Sequence, residues 1–518
     1  MCGILFSSSL SRRFSLEKFN NALISQAWRG PDNRESVSIQ ADLFIAGHNR
    51  LAILDKTSMA NQPMYSSCGN FLIVFNGEIY NHLDIRKKLS LNCRTTSDTE
   101  TLVEAFSQVG ISVLSLLDGM FSFVVLNINN GEWFAARDHL GIKPLYYYRN
   151  SEDLVIASES STISKLTDNG LDSESMIEWT LIRRPLPGFS FYKNINELLP
   201  GHYLHSRETF PVKYWQRKKS SEKFEYDHLE YKIKNSINRH ELSDYPVVAL
   251  LSGGIDSSII SAISNTQDCY SIGLEGNNEC AYAQETGIKI NKNIHTHIID
   301  ENRLLQAWEK LILLRNEPIS VPNEALIYLI CKEFKSDQKV LLTGEGADEI
   351  FFGYDKIYRW AMNEKKINPE DFISRYGYGS DKLSADDLTE RMHYYLVETA
   401  KDKSPIEFLE DFMLDVHLVG LLRRMDYSSM AASKEARVPF VCTDIVNYMY
   451  RRPTVLKIDE IHSKIPLRKM ISNLGLLNVL ERTKIGFSAS KNNMIHKYDE
   501  YEKFRNFNIK TLGLDGSK

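Results

Sequence analysis

The chain has 518 residues, of which 43% are hydrophobic and 25% charged, and its 62 basic and 67 acidic residues leave a net charge of −5. This is a globular composition, long enough for two or more domains, and its mild acidity argues against a broad nucleic-acid footprint, which needs a basic surface. No apolar run reaches membrane-span length, the first residues do not form a secretory pattern, and seven scattered cysteines make neither a disulfide framework nor a zinc pattern, so a reduced cytoplasmic setting without membrane partners is expected.

The chain opens with Met1-Cys2-Gly3-Ile4-Leu5. If Met1 is removed, Cys2 carries a thiol and a free α-amine on one residue. That amine titrates near pH ~8 and can take the thiol proton directly or through a water. The plain alternative is a small buried residue at a strand start. Arg29-Gly30-Pro31-Asp32 signals a turn. Residues 45–55 read as a strand containing Arg50, and Gln62-Pro63-Met64 as a loop. Residues 71–75 read as a buried strand running into Asn76-Gly77-Glu78, and Thr96 to Glu100 lie at a helix start. Taken singly, Arg50 reads as a surface ion pair, Asn76-Gly77 as a hairpin turn and Asp98 as a helix cap.

Taken in order around Cys2, these residues resemble the class II glutamine amidotransferases, which have an N-terminal-nucleophile fold. The resemblance implies an αββα sandwich and a glutamine pocket. Arg50 would grip the α-carboxylate in a bidentate pair, Glu78 and Asp98 would hold the α-ammonium, and Ile53 would lie beside the substrate. The amide of Asn76 and the N–H of Gly77 would stabilise the oxyanion formed when Cys2 attacks. Trp28 departs from the family, which usually has a histidine there. Residues 120–126 and 133–138 read as two more strands. Arg137 and Asp138 are expected to hold the domain interface. Residues 160–216 form a crossing segment, and the boundary is expected in the charged stretch 217–225. The first domain is thus drawn at residues 2–215 and the second at 226–518.

In the second half, a short apolar strand at 246–251 runs into Ser252-Gly253-Gly254-Ile255-Asp256-Ser257-Ser258 and then a helix. Strand, glycine turn and helix suit phosphate, because backbone N–H groups, hydroxyls and the helix N-terminus all favour an anion. The loop lacks the Gly-Lys-Ser/Thr ending of a Walker loop and instead contains Asp256, where Mg²⁺ could bridge carboxylate and phosphates. Strands at 269–274 and 295–299 alternate with helices, as in a doubly wound parallel sheet, so nucleotide belongs beyond the strand carboxyl ends. A later strand at 339–343 ends in Gly344-Glu345-Gly346-Ala347-Asp348-Glu349, a second glycine-acid loop able to face the first. Asp256 and Asp348 are then the expected metal pair.

This half resembles the PP-loop nucleotide fold, and nearly the whole chain resembles the glutamine-hydrolysing asparagine synthetases. The resemblance places Leu250, Ile272 and Gly344 along the adenosine of ATP, with Thr343 beside them. Glu345 would act on the attacking ammonia or orient the acyl group, and Lys464 would neutralise phosphate charge. It also implies a largely helical C-terminal part, in which Arg482, Lys484, Gly486 and Phe487 match, and a homodimer. Phe352, Tyr427 and Cys442 depart from the family, which commonly has glycine, arginine and aspartate there, and Phe352 is expected to reshape the floor of the second site; Pro322-Asn323-Glu324 lies where relatives vary. The implied reaction is glutamine hydrolysis at Cys2, ATP-dependent adenylation of a carboxylate in the presence of Mg²⁺, and capture of the adenylate by ammonia. The acceptor is most simply aspartate. A sugar acid, peptide carboxylate or secondary metabolite would use the same loops. Three readings rank lower: a β-lactam synthetase-like ligase has no use for Cys2 and its pocket, a decayed regulatory protein would not keep every expected nucleophile, metal and oxyanion residue, and an RNA-modifying PP-loop enzyme fits neither the mild acidity nor the amidotransferase half.

Overall fold

Strands with apolar residues on both faces build the first half of the chain. The computed structural model describes residues 2–377, 387–482 and 497–515. One six-stranded antiparallel sheet and a second one use β1 (Gly3–Ser9), β2 (Asn33–Ile39), β3 (Phe44–Arg50), β4 (Met64–Tyr65), β5 (Phe71–Ile79), β6 (Gly119–Asn127), β7 (Trp133–Arg137), β8 (Tyr146–Arg149), β9 (Asp153–Ala157), β10 (Ile195–Glu197), β11 (His202–His205) and β12 (Val212–Lys213). The first has the order β10-β8-β9-β1-β3-β2 and the second β12-β11-β7-β6-β5-β4. Side chains alternate between faces at every residue. Ile4, Phe6, Leu72, Val74, Val124 and Leu126 therefore meet between the sheets. Leu5 and Ile45 pack outward on helices Leu16–Ile24 and Ser160–Thr167. Ile73, Phe75 and Val125 pack outward on helix Asp98–Val109. The result is the expected αββα sandwich.

A five-stranded sheet, parallel throughout, organises the second half. It uses β13 (Val247–Leu250), β14 (Asp268–Leu274), β15 (Asn293–Ile299), β16 (Val340–Leu342) and β17 (Glu435–Arg437), in the order β15-β14-β13-β16-β17. Val248 faces helices Glu301–Arg315 and Glu324–Lys332, while Ala249 and Leu251 face helices Tyr226–Arg239, Ile255–Ile263 and Ile465–Asn473. Helices thus cover both faces, as a parallel sheet requires. Beyond β16 the described residues are largely helical, with β17 as the exception. Lys484, Gly486 and Phe487 lie outside the described residues.

Two sequence expectations change. Arg137 does not reach across the halves. It donates to the carbonyls of Gly141, Lys143 and Leu198 and pairs with Glu197 at 3.0 Å, while Asp138 accepts the N–H groups of Leu140, Ile142 and Lys143. Both tie a turn and the crossing segment inside the first half. Phe352 does not line the floor of the second site. It joins the apolar cluster around Phe372 and Phe412, with its ring stacked on Tyr358 at 3.9 Å and under the Lys457 ammonium at 4.2 Å.

Phe352 also sits at φ 58°, a backbone region costly for a bulky residue. Glycine at this position relieves about 1 kcal/mol of strain but forfeits about 3–5 kcal/mol of aromatic packing. The Phe352→Gly variant is therefore expected to unfold at a lower temperature in a thermal scan. A raised midpoint would mean that strain outweighs the stack.

Candidate active sites

Cys2 precedes the central strand β1 and is buried between β3 and β5. Its N–H donates to Asn76 Oδ1 at 2.9 Å, its carbonyl accepts from Arg29 Nε at 3.0 Å, and its sulfur lies 4.0 Å from the Leu51 carbonyl. Burial pushes the thiol pKa up, and the nearby Arg50 guanidinium opposes that shift. Asn76 and Glu78 lie two apart on β5, and therefore on one face of it. Both are buried, and each has one atom without a partner: Asn76 Nδ2 and Glu78 Oε1. Buried polar atoms are normally paired, so two orphans beside a thiol are candidate ligand contacts. Gly77 between them cannot be larger, since a Cβ there would lie 2.1 Å from the Met120 carbonyl on β6.

Asp98 opens its helix and accepts the Ile79 N–H at 2.9 Å; burial pushes its pKa up to about 6. Glu78 is raised well above the carboxylate range by burial and by Asp98 beside it. The helix cap itself is Ser97, whose hydroxyl accepts from Thr99. Arg50 is engaged with the neighbouring loop, donating to Thr57 O at 2.8 Å, Asn61 Oδ1 at 2.7 Å and the Asp55 carbonyl. Ile53 packs away from the other pocket residues, against Val340 and Met430 of the second half, and its carbonyl accepts the Asp244 N–H at 3.2 Å. An open cleft of about 520 Å³ lies alongside, lined by Asp55, Lys56, Thr57, Arg94, Thr96 and Asp244.

Residues of the second half complete this pocket. Arg437 donates to Glu78 Oε2 at 3.0 Å, and Lys339 donates to the Ala52 carbonyl at 3.3 Å and pairs with Asp32 at 2.7 Å. Arg29, which the sequence offers only as part of a turn, is fully buried and pairs with Glu159 at 2.6 Å and with Asp426 of the second half at 2.7 Å. A charged residue beside Gly30-Pro31 was the only signal of its role.

The second site lies at the carboxyl ends of β13 and β16. Ser252 Oγ and Ser257 Oγ are 3.1 Å apart, and Ser252 Oγ also accepts the Gly254 N–H at 3.3 Å, which closes the first loop. Arg482 donates to the Ser252 carbonyl at 3.0 Å and pairs with Glu279. Ser258 is fully buried with its hydroxyl unpartnered, so its side chain does not reach the loop's open side. Gly344 touches the first loop, where a Cβ would lie 2.8 Å from that of Asp256. The two glycine-acid loops therefore do meet. Leu250 and Ile272 end the adjoining β13 and lie near the end of β14.

Asp256 and Asp348 converge on one point, and the Lys464 ammonium occupies it, 2.6 Å from each carboxylate. The two aspartates raise the lysine pKa against the opposing effect of burial. Two carboxylates with no third Asp, Glu, His or Cys in a cluster among the described residues suit Mg²⁺, which takes its remaining ligands from phosphate and water. Glu345 pairs with Arg424 at 2.8 Å, and Arg424 also donates to Asn323 at 3.2 Å. Burial raises the Glu345 pKa. Glu349, absent from the sequence-derived set, is buried here with its pKa pushed up to about 8 by burial and by Asp348, and it accepts from Tyr354 Oη at 2.6 Å.

Residues 1–215 match the family model described as a glutamine amidotransferase domain, and residues 228–512 match the one described as asparagine synthase. Asparagine synthetase (glutamine-hydrolyzing) 3 of Bacillus subtilis is 28% identical over 93% of this chain and 86% of its own length. The maize asparagine synthetase (glutamine-hydrolyzing) is 28% identical over 71% and 63%, and amidase chyE of Penicillium rubens 29% over 68% and 57%. The second family model alone spans more than half of the chain, and with the amidotransferase match ahead of it this protein belongs to the glutamine-hydrolysing asparagine synthetase family.

Proposed function

We propose that this chain hydrolyses glutamine at Cys2 and passes the ammonia to a carboxylate that it has activated with ATP. The observation that carries the proposal is the pair of orphaned buried atoms, Asn76 Nδ2 and Glu78 Oε1, on the strand face beside the thiol. One is a donor where an oxyanion would form and the other an acceptor where an ammonium would rest. The charge balance agrees. Glu78 shares the Arg437 guanidinium with Glu435, and Asp98 lies beside it, so these carboxylates together favour a further cation.

With Met1 removed, the Cys2 α-amine takes the thiol proton and Asn76 Oδ1 orients that amine. The thiolate attacks the glutamine amide carbon, Asn76 Nδ2 and the Gly77 N–H receive the oxyanion, and ammonia leaves. Water then cleaves the thioester to glutamate. At the second site the loops of Ser252, Gly253, Gly254, Ser257, Thr343 and Gly344 hold the triphosphate. The acceptor carboxylate attacks the α-phosphorus, pyrophosphate departs, and ammonia displaces AMP from the acyl carbon. Asp256 and Asp348 would hold Mg²⁺, which neutralises triphosphate charge when bound. The Lys464 ammonium, now between those aspartates, is placed to turn to the phosphates. Glu345 is placed to take a proton from the attacking ammonia.

Aspartate is the acceptor this arrangement favours, because Arg424 beside Glu345 supplies a cation for a second carboxylate. A different acid is the second reading, favoured by Asn323 on Arg424. A panel of carboxylates scored by pyrophosphate release, with labelled glutamine-amide nitrogen traced by mass spectrometry, separates the two. Asparagine is expected to carry the label. All seven cysteines are unpaired, which supports a reduced, cytoplasmic setting. Among the described residues no helix is long and apolar enough to cross a membrane.

Cys2→Ala is expected to cut glutamine-driven synthesis by ~10³-fold or more and leave ammonia-driven synthesis near the native rate. Glutaminase activity surviving in that variant would overturn the nucleophile assignment. The pocket also sets a pH dependence. Asp98 titrates at about 6 and Glu78 above the usual range, and only their ionised forms attract an ammonium. Glutamine KM should therefore rise about tenfold as pH falls from ~8 to ~5. A flat profile would remove both carboxylates from substrate binding.

A further inference from the structure

Arg437 ends β17 and is fully buried. Its Nε donates to Glu435 Oε1 at 2.6 Å. One terminal nitrogen donates to the carbonyls of His240 and Leu242 at 2.8 and 2.6 Å, and the other to Glu78 Oε2 at 3.0 Å. The guanidinium lies 5.7 Å from the centre of the Tyr80 ring. Its backbone carbonyl accepts the Thr343 N–H at 3.0 Å, and Leu342 is its partner across β16 and β17. Thr343 leads directly into Gly344, which touches Asp256 of the first loop. A single residue thus has its side chain on the Cys2 pocket and its backbone on the nucleotide loop.

That placement has a mechanical consequence. A cation arriving at the free Glu78 Oε1 shares the carboxylate charge with Arg437 and weakens their ion pair. The guanidinium cannot relax alone, because its other donors are held by Glu435 and by the carbonyls that follow helix Tyr226–Arg239. A shift in this arginine therefore bears on β17 and on the bond to Thr343. A nucleotide that orders the Thr343 loop bears on the same bond from the other side.

We propose that Arg437 is a positioning residue that couples the two sites, so that an ammonium group at Glu78 and a nucleotide at the Thr343 loop alter each other's affinity through its side chain and its backbone. The proposal rests on the glutamine reading of the Cys2 pocket. Coupling of this kind is reciprocal for binding.

The test uses the full chain and an ATP analogue that cannot be cleaved between its α and β phosphates, with Mg²⁺ present. In the native protein, saturating analogue is expected to change the glutamine KM of the glutaminase reaction about five-fold or more, with a smaller effect on kcat. In Arg437→Lys the change should fall to none, because one ammonium cannot serve Glu78, Glu435 and two carbonyls together. Circular dichroism and the thermal midpoint report whether that variant is folded. If it is not, hydrogen exchange on Cys2→Ala protein decides, since added glutamine must alter exchange at the Thr343 amide. No KM change in the native protein, an undiminished change in folded Arg437→Lys, or unaltered exchange at Thr343 would each overturn the coupling. Hydrolysis of glutamine by Cys2→Ala is a separate failure and would overturn the pocket reading itself.

Discussion

A guanidinium with no solvent exposure joins the two halves of this protein. Arg29 holds the carbonyl of Cys2 with Nε, Glu159 with one terminal nitrogen and Asp426 with the other. Lys143 adds a second cation 3.5 Å from Asp426. Burying such charges costs several kcal/mol per ion, which only complete pairing offsets. The converse is what matters here: displacing either carboxylate would strand a charge in the interior, at about 3–5 kcal/mol. The Cys2 backbone and helix Leu418–Ala431 are therefore held in one register. The second half cannot slide over the first without breaking the link to Cys2.

The same accounting separates structure from site. Where every donor is satisfied, as for Arg29, Arg137 and Arg437, a side chain is holding protein to protein. Asn76 Nδ2 and Glu78 Oε1 differ in that each is buried without a partner on the one strand face beside Cys2. Arg50 lies between these cases, because loop carbonyls now take the donors that a carboxylate would use. Lys464 is similar. It holds together two carboxylates that would otherwise repel, and a divalent cation at that point would release it.

The departures from the family are not independent of one another. Trp28 and Tyr427 meet edge to face across the halves, with ring centres 6.4 Å apart, and the Arg29 guanidinium lies near both rings. Arg315 and Arg423 also stack on Tyr427. Where the family has a histidine and an arginine, this chain has an aromatic pair ringed by guanidinium groups, which keeps the joint filled and gives the cations a π face. Cys442 begins helix Thr443–Met449 without a side-chain capping bond, whereas the aspartate common in the family is a residue type suited to that cap.

Local chemistry in the sequence was enough for the layers and the loops. An apolar run such as 121–126 reads as a buried strand, and a glycine-acid cluster after a short strand reads as a tight turn of a kind that suits phosphate. Two features were illegible. β17 is three residues, Glu435-Ala436-Arg437, too short and too charged for any periodicity to reveal. Asp426 lies 397 residues from Arg29 and Glu78 lies 359 from Arg437, and a charged side chain looks the same in sequence whether it is solvated or buried. Ser258 and Ile53 show the reverse limit: the Ser258 hydroxyl is buried and the Ile53 side chain packs on Val340 and Met430, and neither is visible from their place in the sequence. The sequence by itself determined which groups are available and how each half folds, because periodicity and turn chemistry are local. Only the tertiary structure decided which charges face one another across the joint, because pairing in a low-dielectric interior depends on distances that the chain order does not contain.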